Sequence, residues 1–252
     1  MNLLLLISLF VLSATAGAGD VHLLAADGNA APEEMDWDDD DFDFEDDTIS
    51  DVPAPDPLAP WNRAMFHFND RVYYWVLKPL AQGYKKIAPA PVRRGVKNIF
   101  HNLAAPIRFV SCILQGKGSA AGGEFAGFIA NSTFGVFGIF DLTRSHPQLN
   151  PKEEDLGQVL GAWGFGNGFY IVWPFLGPSS LRDSLGQVGD RLLNPTTYME
   201  SAVLSTGVAG FEMINATSFR IGDYESIKEA AIEPYEAFRN AYLQMREKKV
   251  AE

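Results

Sequence analysis

The sequence predicts a mainly α-helical protein in which amphipathic and re-entrant helices surround a short glycine-rich irregular or β segment. Three observations predict it. Apolar residues recur at three-or-four spacing between cationic positions from Trp61 to Leu114. An uncharged, phenylalanine-rich stretch of 16 residues follows from Phe125 to Phe140, too short to cross a bilayer as one helix. The stretch from Leu156 to Leu181 is also free of charge, yet its six glycines and two prolines exclude a regular membrane helix.

In chain order, residues 1–18 read as an export signal, with an apolar run Leu3–Leu12 and small-residue sites Ala14-Thr15-Ala16 and Ala16-Gly17-Ala18, though without the usual leading Lys or Arg. Residues 19–55 form an acidic, Pro/Ala-rich tether peaking in Trp37–Asp47, a composition that cannot bury enough apolar surface to fold. The formal charge of −12 therefore misleads: residues 1–60 hold 15 acids and no base, leaving 17 acids against all 20 bases in the remainder. Ten of those bases, against the single acid Asp70, lie between Arg63 and Lys117.

The spacing of Trp61, Met65, Phe68, Val72, Trp75 and Val76 predicts a helix from about Asn62 to Leu77, stopped by Pro79. A second is predicted over Val92–Leu114, interrupted near Pro106, with Val96, Ile99, Phe100, Leu103, Val110 and Ile113 on one side and Arg93, Arg94 and Lys97 opposite. Such helices suit either an anionic bilayer surface or a soluble core with a solvated basic face. Phe125, Phe128, Phe134, Phe137 and Phe140 recur in steps of three and drift around a helix axis, while Gly135 and Gly138 permit a reversal. A re-entrant hairpin and a fully buried helix both fit. Within the glycine-rich stretch, Phe169–Trp173 has strand composition. The chain after Thr196 alternates helices and loops and ends in an amphipathic helix carrying Tyr235, Phe238, Tyr242 and Met245, with 246–252 as a tail.

No catalytic constellation assembles. One cysteine, Cys112, in an apolar context, excludes an intramolecular disulfide framework and a multi-cysteine metal site. The four histidines are isolated, with no H-x-x-x-H spacing. Gly164–Phe169 lacks the third glycine of a dinucleotide loop, and Ser179-Ser180 lacks the G-x-S-x-G elbow. Neither a metal nor a cofactor is expected. Export and the acidic tether argue against a nucleic-acid partner.

The motifs Asp56-Pro57-Leu58-x-x-x-Asn62-Arg63-x-Met65-Phe66-x-Phe68-Asn69, Pro91-Val92-Arg93-Arg94-Gly95-Val96-x-Asn98 and Leu114-Gln115-Gly116-Lys117 resemble the MlaA/VacJ family of outer-membrane proteins that maintain lipid asymmetry. So do Asp155-Leu156-Gly157-Gln158-x-Leu160-Gly161-x-Trp163-Gly164-x-Gly166-x-Gly168-x-Tyr170 and Pro174-x-x-Gly177-Pro178-Ser179-x-Leu181-Arg182-Asp183. The pattern departs from the family at Thr15, where a lipidated cysteine is expected, and at Ala59 and Pro60. No acyl chain can be attached at Thr15.

The resemblance implies a ring-like membrane domain, here over 56–245, embedded in the inner leaflet of the outer membrane beside a trimeric porin. Such a domain encloses a polar passage through which phospholipid descends to a soluble periplasmic carrier. On this reading Arg63, Arg93, Arg94 and Arg182 are expected headgroup contacts, and Asn69, Asn131, Gly164, Gly166 and Gly168 are expected passage or hinge positions. The five phenylalanines are the expected insertion residues, worth about 7–15 kcal/mol as an upper bound if all enter hydrocarbon. The alternatives are a soluble periplasmic lipid carrier and a phospholipase.

Overall fold

The structure, a computed structural model, describes residues 56–144, 146–149 and 153–252. The export signal, the acidic tether and Thr15 lie outside the described residues. Within them the chain is mainly helical, with one short β-hairpin.

The first helix, α1 (Ala59–Val72), does not stop before Pro79 as the sequence predicts. It continues through a π-helical turn, Tyr73–Leu77, into α2 (Lys78–Ile87). Proline lacks the N–H that an α-helix would direct at residue 75, and its ring crowds that carbonyl. The wider turn shifts the register, with the Lys78 N–H reaching the Tyr73 carbonyl, so the proline enters as an early residue of a new helix. Next come α3 (Ala90–Leu103) and α4 (Ala105–Leu114), separated beside Pro106 as expected. Cys112 is fully buried in α4, and burial pushes its thiol up to about 11, so it behaves as a packing residue.

The helix α5 (Gly118–Thr133) ends where the phenylalanine stretch reverses. Gly138, at φ +91°, packs so closely on Asn102 that a Cβ would lie 2.7 Å from that side chain. A Cβ on Gly135 would lie 2.3 Å from the Phe140 carbonyl oxygen. Only glycine fits at either position, which fixes the reversal between α5 and the following loop.

The glycine-rich stretch resolves into a short helix α6 (Leu156–Ala162), a turn, and an antiparallel pair, β1 (Tyr170–Trp173) and β2 (Gly177–Ser180), in register Tyr170↔Ser180 to Trp173↔Gly177. The expected strand is β1; its partner and α6 were not predicted. Ser180 caps α7 (Leu181–Leu193), accepting from the Asp183 N–H at 3.0 Å. The chain closes with α8 (Ala202–Thr217), α9 (Asp223–Ala230) and α10 (Pro234–Ala251), the last running well past the expected end at 245. Tyr170, Val172, Tyr235 and Leu243 form a small core in which α10 covers β1, with Met65 and Phe66 of α1 against it.

Candidate functional site: an inverted exterior around a polar interior

Among the described residues, buried side chains are more often polar or charged than apolar, while large apolar side chains crowd the exterior. Helix α7 shows the inversion most clearly. Leu181, Leu185, Val188 and Leu192 form an exposed stripe at helical spacing, while Arg182, Asp183, Gly186 and Asp190 face inward and are buried. On α8, Val203, Leu204 and Phe211 are exposed while Ser205 and Asn215 are buried. In water this arrangement is unfavourable on both sides. It is favourable when hydrocarbon wets the outside.

The reversal after α5 is a strongly exposed apolar feature: Phe134, Phe137 and Phe140 are 80%, 79% and 61% exposed. Phe125 is exposed as well, and Phe128 is half-buried. Val136 and Phe137 both adopt positive φ, 53° and 58°, a costly conformation for side-chain-bearing residues. Asn131 holds it in place: its backbone carbonyl accepts from Gly138 at 2.8 Å, its Oδ1 from the Leu142 N–H at 2.8 Å, and its Nδ2 donates to Asp141. The loop is thus a fixed projection.

Behind it lies a polar cleft lined by His101, Asn102, Arg108, Glu124 and Asn131. Arg108 and Glu124 form a buried pair at 2.8 Å, and burial together with the Arg108 charge lowers His101 to about 4, leaving it neutral at neutral pH.

The hairpin solves a problem set by its own glycines and prolines, since irregular backbone in an apolar setting needs partners for every N–H and C=O. Helix α1 supplies them. Asn62, fully buried, donates to the Tyr170 carbonyl at 3.0 Å and accepts from the Val172 N–H at 2.8 Å. Two turns further along, Asn69 donates to the Trp173 carbonyl at 2.9 Å and accepts from the Phe175 N–H. Trp61, Trp163 and Trp173 direct their indole N–H groups inward, to the Val172 carbonyl, the Leu114 carbonyl and the Ser184 hydroxyl, while part of each ring stays exposed. With the donor already satisfied, such a ring carries no unpaired polar group into an apolar phase.

The charged centre ties α6, α7 and α10 together. Arg246 of α10 donates to both Asp155 oxygens at 2.6 and 2.9 Å and to Asp183 at 2.8 Å. Asp155 also caps α6 by accepting from the Gln158 N–H at 2.8 Å, and Tyr242 donates to Asp183 at 2.7 Å. Burial pushes the carboxyls of Asp155 and Asp183 up, but the Arg246 guanidinium outweighs it and holds both below the usual range. Neighbouring Asp190, which accepts from the Leu156 N–H at 3.0 Å, is pushed the other way, to about 7, by burial and by the Asp155 charge. A neutral Asp190 leaves two guanidiniums, Arg182 and Arg246, facing two carboxylates.

For a carboxyl raised on folding, stability is full below its unfolded value near 4 and declines as pH rises towards 7. Asp190→Asn keeps an oxygen for the Leu156 N–H and removes the titration. Its melting temperature in detergent is expected to match wild type at pH 5 and exceed it at pH 8; equal shifts at both pH values would contradict the assignment.

Glycines let these helices meet. A Cβ on Gly186 would lie 2.3 Å from the Gly157 nitrogen, and one on Gly161 would lie 2.7 Å from Val250. The Gly186 contact is with backbone and cannot yield. Gly186→Ala is therefore expected to lower the melting temperature by several degrees, whereas Gly166→Ala, with nothing within 4 Å and no positive φ, should leave it unchanged.

Three comparisons place this architecture among known proteins. The family model described as MlaA lipoprotein matches residues 54–249. The chain belongs to the MlaA lipoprotein family. It is 31% identical over 192 residues to the intermembrane phospholipid transport system lipoprotein MlaA of Escherichia coli (strain K12), covering 75% of this chain and 76% of that protein. The Haemophilus influenzae protein of the same name is 29% identical over 198 residues, covering 77% and 79%. A solved structure from work on the structural basis for maintenance of bacterial outer membrane lipid asymmetry superposes with a TM-score of 0.69 at 30% identity, covering 78% of this chain and 99% of that one.

In this MlaA-family chain the residues expected at the site have diverse environments. Arg63 pairs with Glu236 at 3.0 Å at the surface and stacks on Tyr235. Arg93 does not sit on a solvated face opposite the apolar one. It is buried, donates to the Ser218 carbonyl and hydroxyl at 3.1 and 3.0 Å, and lies over Phe219. Arg94 is exposed, with no hydrogen-bond or ion-pair partner among the described residues. Arg182 is buried, bonded through Nε to Asp183, and its Nη2 has no partner among the described residues. Gly164 and Gly168 serve positive-φ turns at +91° and +69°. Ser179 and Ser180 bond within the hairpin and α7, whereas His101 lines the cleft beside α5. Arg246 was not expected from sequence, having been assigned to a tail.

Proposed function

We propose that this protein is the outer-membrane component of an intermembrane phospholipid transport system, removing mislocalised phospholipid from the outer leaflet. The observation that carries the reading is the inverted exterior: an apolar outer stripe on α7 and α8 and a projecting phenylalanine loop around buried polar groups, in a chain of the MlaA family. No described helix is long and apolar enough to cross a membrane. Insertion into one leaflet, as a ring around a polar passage, accounts for both facts. Phe125, Phe128, Phe134, Phe137 and Phe140 are the insertion residues in this reading.

Arg182, with its remaining donor, and Arg63, whose exposed surface pair is weak and displaceable, are the headgroup contacts we assign. Arg93 acts as a structural strut between α3 and the end of α8. Gly166 is the glycine left free to face the passage. A trimeric porin alongside the domain and a soluble periplasmic carrier below it complete the route, and the protein itself catalyses no bond change. The apolar exterior weighs against a freely soluble carrier.

Deleting the gene is expected to raise surface-exposed phospholipid and sensitivity to detergent, with both restored by the wild-type copy. An envelope unchanged by deletion would overturn the reading.

A further inference from the structure

The corner between α2 and α3 carries exposed apolar side chains and several exposed cations in one short stretch of chain. Val76, Leu80 and Ile87 form an outward apolar stripe along the π turn and α2, with Ile87 85% exposed at the tip. Val92, on the first turn of α3, is exposed beside them. Four cations lie on the same two helices: Lys85 and Lys86 in the last turn of α2, and Arg94 and Lys97, one turn apart on α3. All four are exposed, and none has a hydrogen-bond or ion-pair partner among the described residues. Lys78, Lys117 and Lys228 are each paired with a carboxylate, whereas Arg71 and Lys248, like the four at this corner, are exposed without a hydrogen-bond or ion-pair partner among the described residues. Trp75, at the other end of the same helical stretch, is 76% exposed and, unlike Trp61, Trp163 and Trp173, has no partner for its indole N–H among the described residues.

These features belong together physically. An apolar stripe calls for hydrocarbon, while unpaired ammonium and guanidinium groups and a free indole N–H call for anionic oxygen or water. Both demands are met at the headgroup level of a bilayer, where long cationic side chains extend from an apolar stem to phosphate. We propose that the α2–α3 corner is an interfacial anchor that selects anionic phospholipid through Lys85, Lys86, Arg94 and Lys97. The inference rests on the membrane placement proposed above and adds to it a preference for lipid charge at a defined surface. The acidic segment Trp37–Asp47 of the same chain is the competing occupant.

The test uses the full exported chain and sedimentation with two vesicle types, one of phosphatidylcholine alone and one containing a third phosphatidylglycerol. Wild type is expected to bind both, and the anionic vesicles more tightly. At about 1 kcal/mol per cation, the quadruple variant Lys85→Gln/Lys86→Gln/Arg94→Gln/Lys97→Gln should lose up to about 10³-fold in affinity for anionic vesicles. It should keep wild-type affinity for neutral ones, and its residual anionic binding should no longer fall as salt rises from 0.05 to 0.5 M, where wild type does, at roughly those concentrations. Wild type that binds both vesicles equally, or a variant that retains the anionic preference, as expected if the acidic segment covers the corner, overturns the anchor alone. Wild type that binds neither overturns the membrane placement itself. Unchanged far-ultraviolet circular dichroism of the variant separates loss of binding from loss of fold.

Discussion

Replacing Arg246 by methionine is expected to destabilise the protein by about 3–5 kcal/mol, the cost of leaving buried carboxylates without their cation. Arg246 fills three acceptor positions on Asp155 and Asp183, and a methionine of similar length fills the space but none of the charge. The two aspartates then face each other across a buried site with only Arg182 nearby. The melting temperature in detergent should fall well beyond the effect of a surface substitution, and limited proteolysis should release the end of α10 first. The double variant Asp155→Asn/Arg246→Met removes one of the stranded charges and should recover part of the loss, because the penalty arises from the unpaired carboxylate and not from the missing attraction. A methionine variant as stable as wild type would show that the network is solvated.

The second large effect concerns the projecting loop. Phe134→Ser/Phe137→Ser/Phe140→Ser removes three exposed phenyl groups that touch little of the protein. At roughly 1.5–3 kcal/mol for each ring transferred to hydrocarbon, as an upper bound, membrane affinity should fall by up to about 10³–10⁶-fold. Folding should be spared, since Gly135, Gly138 and Asn131, which hold the reversal, are untouched. Flotation of the full chain with neutral vesicles reads the first quantity and thermal unfolding in detergent the second. A triple variant that floats like wild type would show that the loop lies outside the bilayer.

How much was legible from sequence divides along a physical line. Helical periodicity located α1, α3, α4 and the last helix but not α2 or α6, Pro106 separated α3 from α4, and the β-prone run became β1. Periodicity does not state which side of a helix faces inward, and in an inverted protein the usual inference fails: Arg93 lies on the polar side of α3, and that side is partly the interior. Pro79 looked like a stop because the sequence does not display the π turn that accommodates it. Gly138 sits at the bend the sequence predicts, and Asn131, expected at a passage or hinge, hydrogen-bonds the same loop. Arg246 carried no local signal, since its partners lie 91 and 63 positions earlier. The glycines Gly157, Gly161 and Gly186 are visible as composition, but their reason, helices packed nearly backbone to backbone, appears only once α6, α7 and α10 are set side by side.

The asparagine contacts between α1 and the hairpin impose an order of assembly. Asn62 must wait for Tyr170 and Val172, 108 and 110 positions downstream, and Asp56 for the Tyr235 hydroxyl, 179 positions away. Asn62 also donates to nearby Asp56 at 2.7 Å, but the strand backbone and the Tyr235 hydroxyl arrive only later in the chain, so the earliest helix to emerge during synthesis is the last to be completed. A chain cut before Tyr170 would leave the Asn62 amide without the strand that receives it, and one cut before Tyr235 would leave Asp56 without that hydroxyl, which makes maturation a closure of beginning onto end.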